Sequence, residues 1–123
     1  MELRELTKAE EQIMQVLWTL EKAFVKDVID ELPEPKPAYN TVSTIIRILE
    51  TKGFVEHEAF GKSHCYYPIV SKEQYKSFAT EKLLTGYFGN SVESMFSFFV
   101  KKEKIDLKEA DEILKLIKNL KNK

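Results

Sequence analysis

The apolar residues in the first third of the chain recur at helical spacing. Behind the capping-box sequence Thr7–Glu10, this period continues to Leu20 and predicts an amphipathic first helix. Lys26–Leu32 repeats the spacing over a shorter helix, and between the two helices Phe24-Val25 can form a short strand. The segment Pro33–Pro37 ends the second helix, because proline has no amide donor and disfavours a helical residue before it.

A third helix and a β-hairpin are predicted next. Tyr39–Lys52 carries an apolar stripe at helical spacing, and Gly53 is well placed to terminate the helix. Phe54–Phe60 and His64–Val70 are rich in aromatic and β-branched residues. The turn sequence Gly61–Ser63 lies between them, which indicates a hairpin.

Three further helices are predicted in the second half. Ser71–Gln74 is a second capping box, Asn90–Glu93 starts another helix, and Asp106–Glu109 caps the last one. Three helices and a hairpin, followed by more helices, are typical of a winged helix-turn-helix with a helical module behind it. The predicted fold is therefore mainly α with a small β-hairpin. We expect a winged-helix DNA-binding domain at 1–70 and a helical dimerisation domain at 71–123.

Composition and charge narrow the class of protein. With 43% hydrophobic and 32% charged residues, the chain is expected to be a folded, soluble protein. It has no long apolar run, no secretion-signal layout and a single cysteine, so a cytoplasmic location is expected. Charge by itself does not indicate DNA binding. Met1–Val70 holds 8 Lys or Arg against 12 Asp or Glu, whereas Ser71–Lys123 holds 11 against 8.

The outward face of the third helix carries the strongest functional signal. An exposed helix usually mixes Lys and Glu, whereas this face holds small polar side chains and one arginine, with no acidic residue before Glu50. Asn can bond adenine edges, Ser and Thr can contact bases or phosphates, and Arg can bond guanine. The candidate DNA-contacting residues are Asn40, Thr41, Ser43, Thr44 and Arg47. The alternative is a solvated helix whose polar residues have no such role.

Basic and hydroxyl side chains flank this helix and could bind phosphates. The candidates are Lys36, Tyr39 and Lys52 around the helix, with Lys62 and Ser63 at the hairpin tip. A wing in that position sets the register on the DNA backbone and carries little sequence information. The alternative for Lys62 is an ordinary solvated turn residue.

Enzyme motifs are lacking in the sequence. It has no glycine-rich phosphate loop, no HExxH and no CxxC pattern. His57, His64 and Cys65 fall on the hairpin, but no further Cys or His could complete a metal site. His64 and Cys65 would also point to opposite faces of a strand. Cys65 is interpreted as a small buried apolar residue, and no catalysis, cofactor or metal is expected.

Large apolar residues are more numerous in the second half than one small domain can bury. Amphipathic helices of this kind usually pack against a second copy of themselves, and two-fold dimers are the commonest oligomers. A dimer would also sum the contacts that two DNA-binding domains with few basic residues make on a palindromic operator. The candidate dimerisation residues are Phe78, Leu83, Tyr87, Phe88, Met95, Phe96, Phe99, Ile113, Leu114 and Ile117.

Most of the chain resembles the penicillinase-repressor family, which includes the β-lactamase and methicillin-resistance repressors. The motifs that carry the resemblance are Leu6-Thr-Lys-Ala-Glu10, Val16-Leu-Trp18, Tyr39-Asn-Thr-Val-Ser-Thr-Ile-Ile-Arg-Ile-Leu-Glu-Thr-Lys-Gly53, Gly61-Lys62, Tyr66-Tyr-Pro68 and Val70-Ser71. The resemblance implies a homodimeric repressor that binds double-stranded operator DNA of a β-lactamase or related resistance or stress operon. It also implies that a membrane-bound sensor relieves repression by triggering proteolysis in the C-terminal domain.

Two departures limit what the resemblance implies. Staphylococcal repressors of the family are similar around Ser94–Ile105 but have an Asn-Phe bond where this chain has Phe98-Phe99. Cleavage between Phe98 and Phe99 is therefore a hypothesis. The copper-responsive branch carries a cysteine-rich C-terminal motif, whereas no residue after Cys65 is a cysteine, so copper sensing is not expected.

Functions of other classes stay open at this point. A winged-helix module that binds protein and never touches DNA would suit the acidic first half. A regulator that responds to a small ligand would need an effector pocket, although core packing also explains the aromatic residues that could line one. The candidates for that pocket are Tyr75, Phe78, Tyr87 and Phe88. A membrane-surface role is disfavoured, because the basic last helix also contains acidic residues.

Overall fold

The fold is mainly helical with one small sheet. In the computed structural model, residues 3–103 and 105–121 are described, with the side chains of 117, 118, 120 and 121 left out. The chain divides into two compact units between Ala79 and Thr80. The elements, in chain order, are α1 (Lys8–Leu20), β1 (Ala23–Phe24), α2 (Val25–Glu31), α3 (Tyr39–Thr51), β2 (Val55–Phe60), β3 (Ser63–Pro68), α4 (Lys72–Phe88), α5 (Val92–Glu103) and α6 (Leu107–Lys121).

A reciprocal capping box begins α1. The Glu10 amide donates to the Thr7 hydroxyl at 3.2 Å, and the Thr7 amide donates to the Glu10 carboxylate at 2.9 Å. These bonds satisfy two of the amides that the first turn of a helix leaves unpaired. Ile13, Met14 and Leu17 lie on the buried face, which confirms the predicted amphipathic helix.

The predicted hairpin is confirmed, and it belongs to a three-stranded antiparallel sheet in the order β1-β3-β2. Val55 pairs with Pro68 at its base and Phe60 pairs with Ser63 at its tip. Pro68 is the last residue of β3, where a missing amide donor costs little. The short strand occupies Ala23–Phe24, one residue earlier than predicted.

The core of the first unit lies between the three helices and the sheet. The largest fully buried side chains include Phe54, Met14, Leu17, Ile46 and Leu49. The α3 helix thus contributes its apolar stripe to this core and leaves its opposite face outside.

At its carboxyl end, α3 stops one residue before the predicted Lys52. Gly53 follows with φ 84°, in the left-handed region that glycine adopts without a steric cost. The Phe54 amide donates to the Leu49 carbonyl at 2.9 Å across this turn. Gly53 is therefore the helix terminator that the sequence indicates.

The first turns of α4 belong to the first unit. The Tyr75 ring is buried and packs against Phe54 and Trp18 at centroid distances of 5.8 and 6.1 Å. The Tyr75 hydroxyl accepts a hydrogen bond from the Leu6 amide at 3.0 Å. The Trp18 indole donates to the Val70 carbonyl at 2.9 Å, which ties α1 to the end of the hairpin.

The second unit consists of the rest of α4 with α5 and α6. Ser91, and not Asn90, is the N-cap that accepts from the Ser94 amide, at 3.1 Å. Asn90 has φ 64° and lies in the turn after α4, so the predicted start of α5 was one residue early. Asp106 caps α6 as predicted, with its carboxylate 2.8 Å from the Glu109 amide. None of the described helices combines the length and apolar character that a membrane span requires.

Candidate nucleic-acid interface

The outward face of α3 presents a polar arc to solvent. At 100° per residue, Asn40, Thr44, Arg47 and Thr51 fall within an arc of about 60°. All four are exposed, and they lie opposite the buried stripe of the helix. This arc contains no acidic residue. Thr51 was missed in the sequence analysis, although the same angular count finds it.

The other candidates on α3 border this arc. Thr41 and Tyr39 are exposed, whereas Ser43 is half-buried on the side that faces the hairpin. The Arg47 side chain lies along its own helix, with Nε 3.4 Å from the Ser43 carbonyl. The structure thus brings the five predicted α3 residues onto one surface, with Tyr39 at the amino end of the helix.

The hairpin is tied to the carboxyl end of α3. His57 Nδ1 lies 2.6 Å from Glu50 Oε2, in a hydrogen bond that the imidazole donates because an ionised carboxylate only accepts. The His57 ring stacks on His64 with centroids 4.1 Å apart and planes at 10°. Tyr66 packs against both rings, and burial, with the nearby Glu50 carboxylate, raises its pKa. These contacts hold the inner face of the hairpin beside α3.

The tip of the hairpin is exposed. Lys62 and Ser63 are both open to solvent, beside Gly61 with φ 64°. Phe60 packs edge-on against Phe24 of β1 at 5.8 Å, which anchors the strand just before the turn. Lys62 is therefore a cation held at the end of a supported hairpin, the arrangement expected of a wing.

Two of the predicted phosphate-binding lysines make contacts within the protein. Lys36 Nζ donates to the carbonyls of Asp30 and Leu32 at 2.9 and 2.6 Å, where it caps the end of α2. Lys52 Nζ donates to Glu10 Oε1 at 2.8 Å, and its side chain is only 20% exposed. Neither partnership was evident in the sequence.

The structure also brings residues to α3 that the sequence analysis did not select. A shallow surface pocket beside the polar arc is lined by Arg4, Thr44, Arg47, Ile48, Thr51 and Lys52. Ile48 is 42% exposed, and Arg4 comes from the segment before α1. The helical period would have placed Ile48 next to Thr44, but no local pattern indicates that Arg4 reaches α3.

Cys65 is buried, which confirms its interpretation as a small apolar residue. Its neighbour His64 is exposed on the other face of β3, as the alternation of a strand requires. Among the residues that the structure describes, no group of three or more His, Cys, Asp or Glu side chains is arranged to hold a metal ion.

Several of the candidate dimerisation residues are exposed in the single chain. Tyr87 is 81% exposed, and Leu83, Phe99 and Ile113 are also open to solvent. Phe88, Met95, Phe96 and Leu114 are half-buried in the second unit, with Phe88 in ring contact with Phe98 at 5.7 Å. Phe78 instead packs against the core of the first unit, and the side chain of Ile117 lies outside the described residues.

Two more exposed leucines were not selected from the sequence. Leu107 is 88% exposed at the first position of α6, and Leu116 is 64% exposed near its end. The candidate cleavage bond, Phe98-Phe99, lies within α5, with both rings more than 40% exposed.

The comparisons with known proteins cover nearly the whole chain. The family model of the penicillinase repressor matches residues 6–119. The methicillin resistance regulatory protein MecI of Staphylococcus aureus (strain N315) is 26% identical over 114 residues, which covers 92% of this chain and 93% of MecI. The penicillinase repressor of Bacillus licheniformis is 22% identical over 120 residues, which covers 97% of this chain and 94% of the relative.

A solved structure matches more than half of the chain. The solution structure of the DNA-binding domain of the repressor BlaI superposes with a TM-score of 0.53 at 25% sequence identity. The match covers 60% of this chain and 92% of that domain. The winged-helix architecture predicted from the sequence is therefore confirmed.

Proposed function

The chain belongs to the penicillinase repressor family, and from that membership we propose that it is a sequence-specific, DNA-binding transcriptional repressor. In this function α3 lies in the major groove of an operator while the β2–β3 wing lies along the sugar-phosphate backbone. The relatives carry the names of a methicillin resistance regulator and a penicillinase repressor, so the proposed target is a β-lactamase or related resistance or stress operon. The protein would then act in the cytoplasm, because the operator DNA is located there.

The polar, acid-free arc on α3 is the observation that carries this proposal. A duplex presents negatively charged phosphates and base edges rich in hydrogen-bonding groups. Asn40, Thr44 and Arg47 offer an amide, a hydroxyl and a guanidinium on one exposed face. None of the residues of this arc is acidic, so the arc itself carries none of the negative charge of Met1–Val70.

Each candidate residue has a proposed role. Asn40, Thr41, Ser43, Thr44 and Arg47 contact bases and adjoining phosphates, and Tyr39, Lys62 and Ser63 contact the backbone on the wing side. Lys36 and Lys52 already bind groups within the protein, and we assign them a supporting role that holds α2 and α3 in place.

Repression through a dimer follows from the exposed apolar residues of the second unit. Leaving side chains as large as Tyr87 and Leu107 in water is unfavourable, and a second copy of the same helices would cover them. Two domains joined in this way would bind a palindromic operator and sum two sets of weak contacts.

Proteolysis triggered by a membrane-bound sensor is the proposed means of release. Cleavage in the second unit would separate the DNA-binding domains from the contacts that join them. The hypothetical bond Phe98-Phe99 lies inside α5, so local unwinding of that helix must precede cleavage there. Incubation of the repressor with its sensor, followed by sequencing of fragments, tests this hypothesis, and a chain that stays intact would refute it.

The test of the main proposal is selection of duplex DNA from a random pool by the full chain. We expect one palindromic sequence to be enriched and to bind far more tightly than a scrambled duplex. Arg47→Ala should then weaken binding to the selected sequence by about 1–3 kcal/mol and relax its preference. Lys62→Ala should weaken binding to both duplexes equally and reduce the salt dependence.

Lys22→Ala is the control, because Lys22 is paired with Glu58. Glu58 adjoins His57 on β2, so it points to the face of the sheet away from α3. Binding no tighter to the selected duplex than to the scrambled one would contradict the proposal and favour a protein-binding winged-helix module.

A further inference from the structure

We propose that Arg4 is a second DNA-backbone contact, on the flank of α3 opposite the wing. The inference rests on the proposed function and adds to it. With Arg4 on one side and Lys62 on the other, the recognition helix would be held between the phosphates of both strands.

The two flanks of α3 can be told apart by their contacts. Glu50 binds His57 of the hairpin at 2.6 Å, so its side of the helix faces the wing. Ile48 lines the same pocket as Arg4. At 100° per residue, Glu50 and Ile48 point about 160° apart around the helix axis. The wing and Arg4 therefore lie on opposite sides of α3.

The base-contacting arc lies between these two flanks. Thr44 and Arg47 belong to that arc and also line the Arg4 pocket, so the arc and the pocket form one continuous surface. An α-helix with its side chains is about 10–12 Å across, close to the width of about 12 Å of the major groove. A helix that fills the groove has a phosphate backbone along each side. The wing meets one of these backbones and Arg4 meets the other.

The chemistry of the pocket suits a phosphodiester. Arg4 and Arg47 provide two guanidinium groups and Thr44 provides a hydroxyl, whereas the Thr51 hydroxyl donates to the Arg47 carbonyl at 3.1 Å. None of the described residues that line it is Asp or Glu. The remaining cation, Lys52, is neutralised by Glu10. Guanidinium groups bind phosphate oxygens in a bidentate manner, which fixes both distance and orientation.

The backbone on both sides of Arg4 is anchored. Leu3 packs against the core of the first unit, and Leu6 is buried in it. The Leu6 amide is also bonded to the Tyr75 hydroxyl. Arg4 itself is exposed. It is therefore an arginine on a fixed segment, so little backbone entropy is lost when it binds a phosphate.

The experiment compares Arg4→Gln with the control Lys22→Gln in the full chain. The probes are the duplex selected from a random pool by the wild type and a scrambled duplex, between about 50 and 200 mM salt. We expect Arg4→Gln to weaken binding to both duplexes by the same factor, on the order of fivefold, and to lower the salt slope by about 0.9. The selected base preference should not change. Arg4→Lys should keep the wild-type salt slope, because it keeps the charge, but should restore only part of the affinity, because an ammonium group cannot make the bidentate contact.

Ethylation interference then locates the contact. Ethylation of one phosphate should impair wild-type binding and have no effect on Arg4→Gln. A second phosphate, whose ethylation impairs binding by the wild type but not by the Lys62→Gln variant, should lie on the other DNA strand. The inference would be overturned if Arg4→Gln bound DNA with unchanged affinity, or if both variants lost the interference signal at the same phosphate. Either result would leave the repressor function intact. If the wild type binds no duplex selectively, the proposed function itself fails.

Discussion

Lys52 Nζ donates a hydrogen bond to Glu10 Oε1 at 2.8 Å and so joins the end of α3 to the start of α1. The same oxygen accepts the Thr7 amide at 2.9 Å. The Glu10 side chain is only 6% exposed, so its charge depends on these two donors. The pair fixes the carboxyl end of the candidate recognition helix against the first helix of the core.

Lys52→Met should therefore destabilise the first unit. It leaves a buried carboxylate without its cation, which we expect to cost about 2 kcal/mol, below the usual value for a fully buried pair because Lys52 is partly exposed. Urea unfolding followed by the fluorescence of Trp18, the single tryptophan, measures the loss. Lys22→Met is the matched control, because its pair with Glu58 is exposed and should contribute little. Equal losses in the two variants would contradict this role for Lys52.

The same carboxylate should make stability depend on acid pH. Burial raises the pKa of Glu10, but the hydrogen bonds from Lys52 and Thr7 outweigh it and leave the pKa below the ordinary 4.5. A carboxyl with a lowered folded-state pKa contributes stability above its unfolded pKa and loses that contribution as the pH falls through its folded pKa. The wild type should thus exceed Glu10→Gln in stability at pH 7.

This difference should shrink as the pH falls below about 4.5. Urea midpoints of both proteins between neutral pH and about pH 3 measure the effect. A difference that stays constant over that range would show that the Glu10 charge does not stabilise the fold.

Local signals explain how much of the fold could be predicted. The capping boxes at Thr7 and Ser71 and the turn at Gly53 join residues no more than five positions apart, so a short stretch of sequence contains both partners of each interaction. The start of α5 was harder, because Asn90 and Ser91 are both good caps and only the turn after α4 decides between them.

The candidate DNA-binding site was less predictable than the fold, because tertiary contacts decide which charged side chains are available to bind DNA. Lysine is a residue type that commonly binds phosphate, so the sequence indicates Lys52 as a candidate. In the structure its charge is paired with Glu10, which is 42 residues away in the sequence. Arg4 lies outside any helical period, and only the packing of Leu3 and Leu6 brings it to α3. The polar arc of α3 follows from 3.6 residues per turn, so three of its four residues, Asn40, Thr44 and Arg47, could be predicted from the sequence.

The proposed dimer can be tested with two leucines on opposite faces of α6. At 100° per residue, Leu107 and the candidate dimerisation residue Leu114 lie about 20° apart around the axis of α6, whereas Leu116 points about 180° away from Leu107. Leu107→Glu should raise the dimer dissociation constant by at least about tenfold, since burying a leucine contributes about 1.5–3 kcal/mol. Leu116→Glu should change it little. Sedimentation equilibrium measures both constants, and equal effects would place the interface elsewhere.

Two glycines should respond to alanine with opposite signs. Gly61 has φ 64° at the hairpin tip, and an added Cβ would meet no atom within 4 Å, so backbone strain alone sets the effect. Gly61→Ala should destabilise the first unit by about 1 kcal/mol. Gly86 lies inside α4 with equally open space, so Gly86→Ala should favour the helix by about 0.5–1 kcal/mol. Thermal unfolding of the two variants beside the wild type provides the comparison. Stabilisation by Gly61→Ala would show that the turn does not need a left-handed residue, and destabilisation by Gly86→Ala would show that α4 is not continuous at this position.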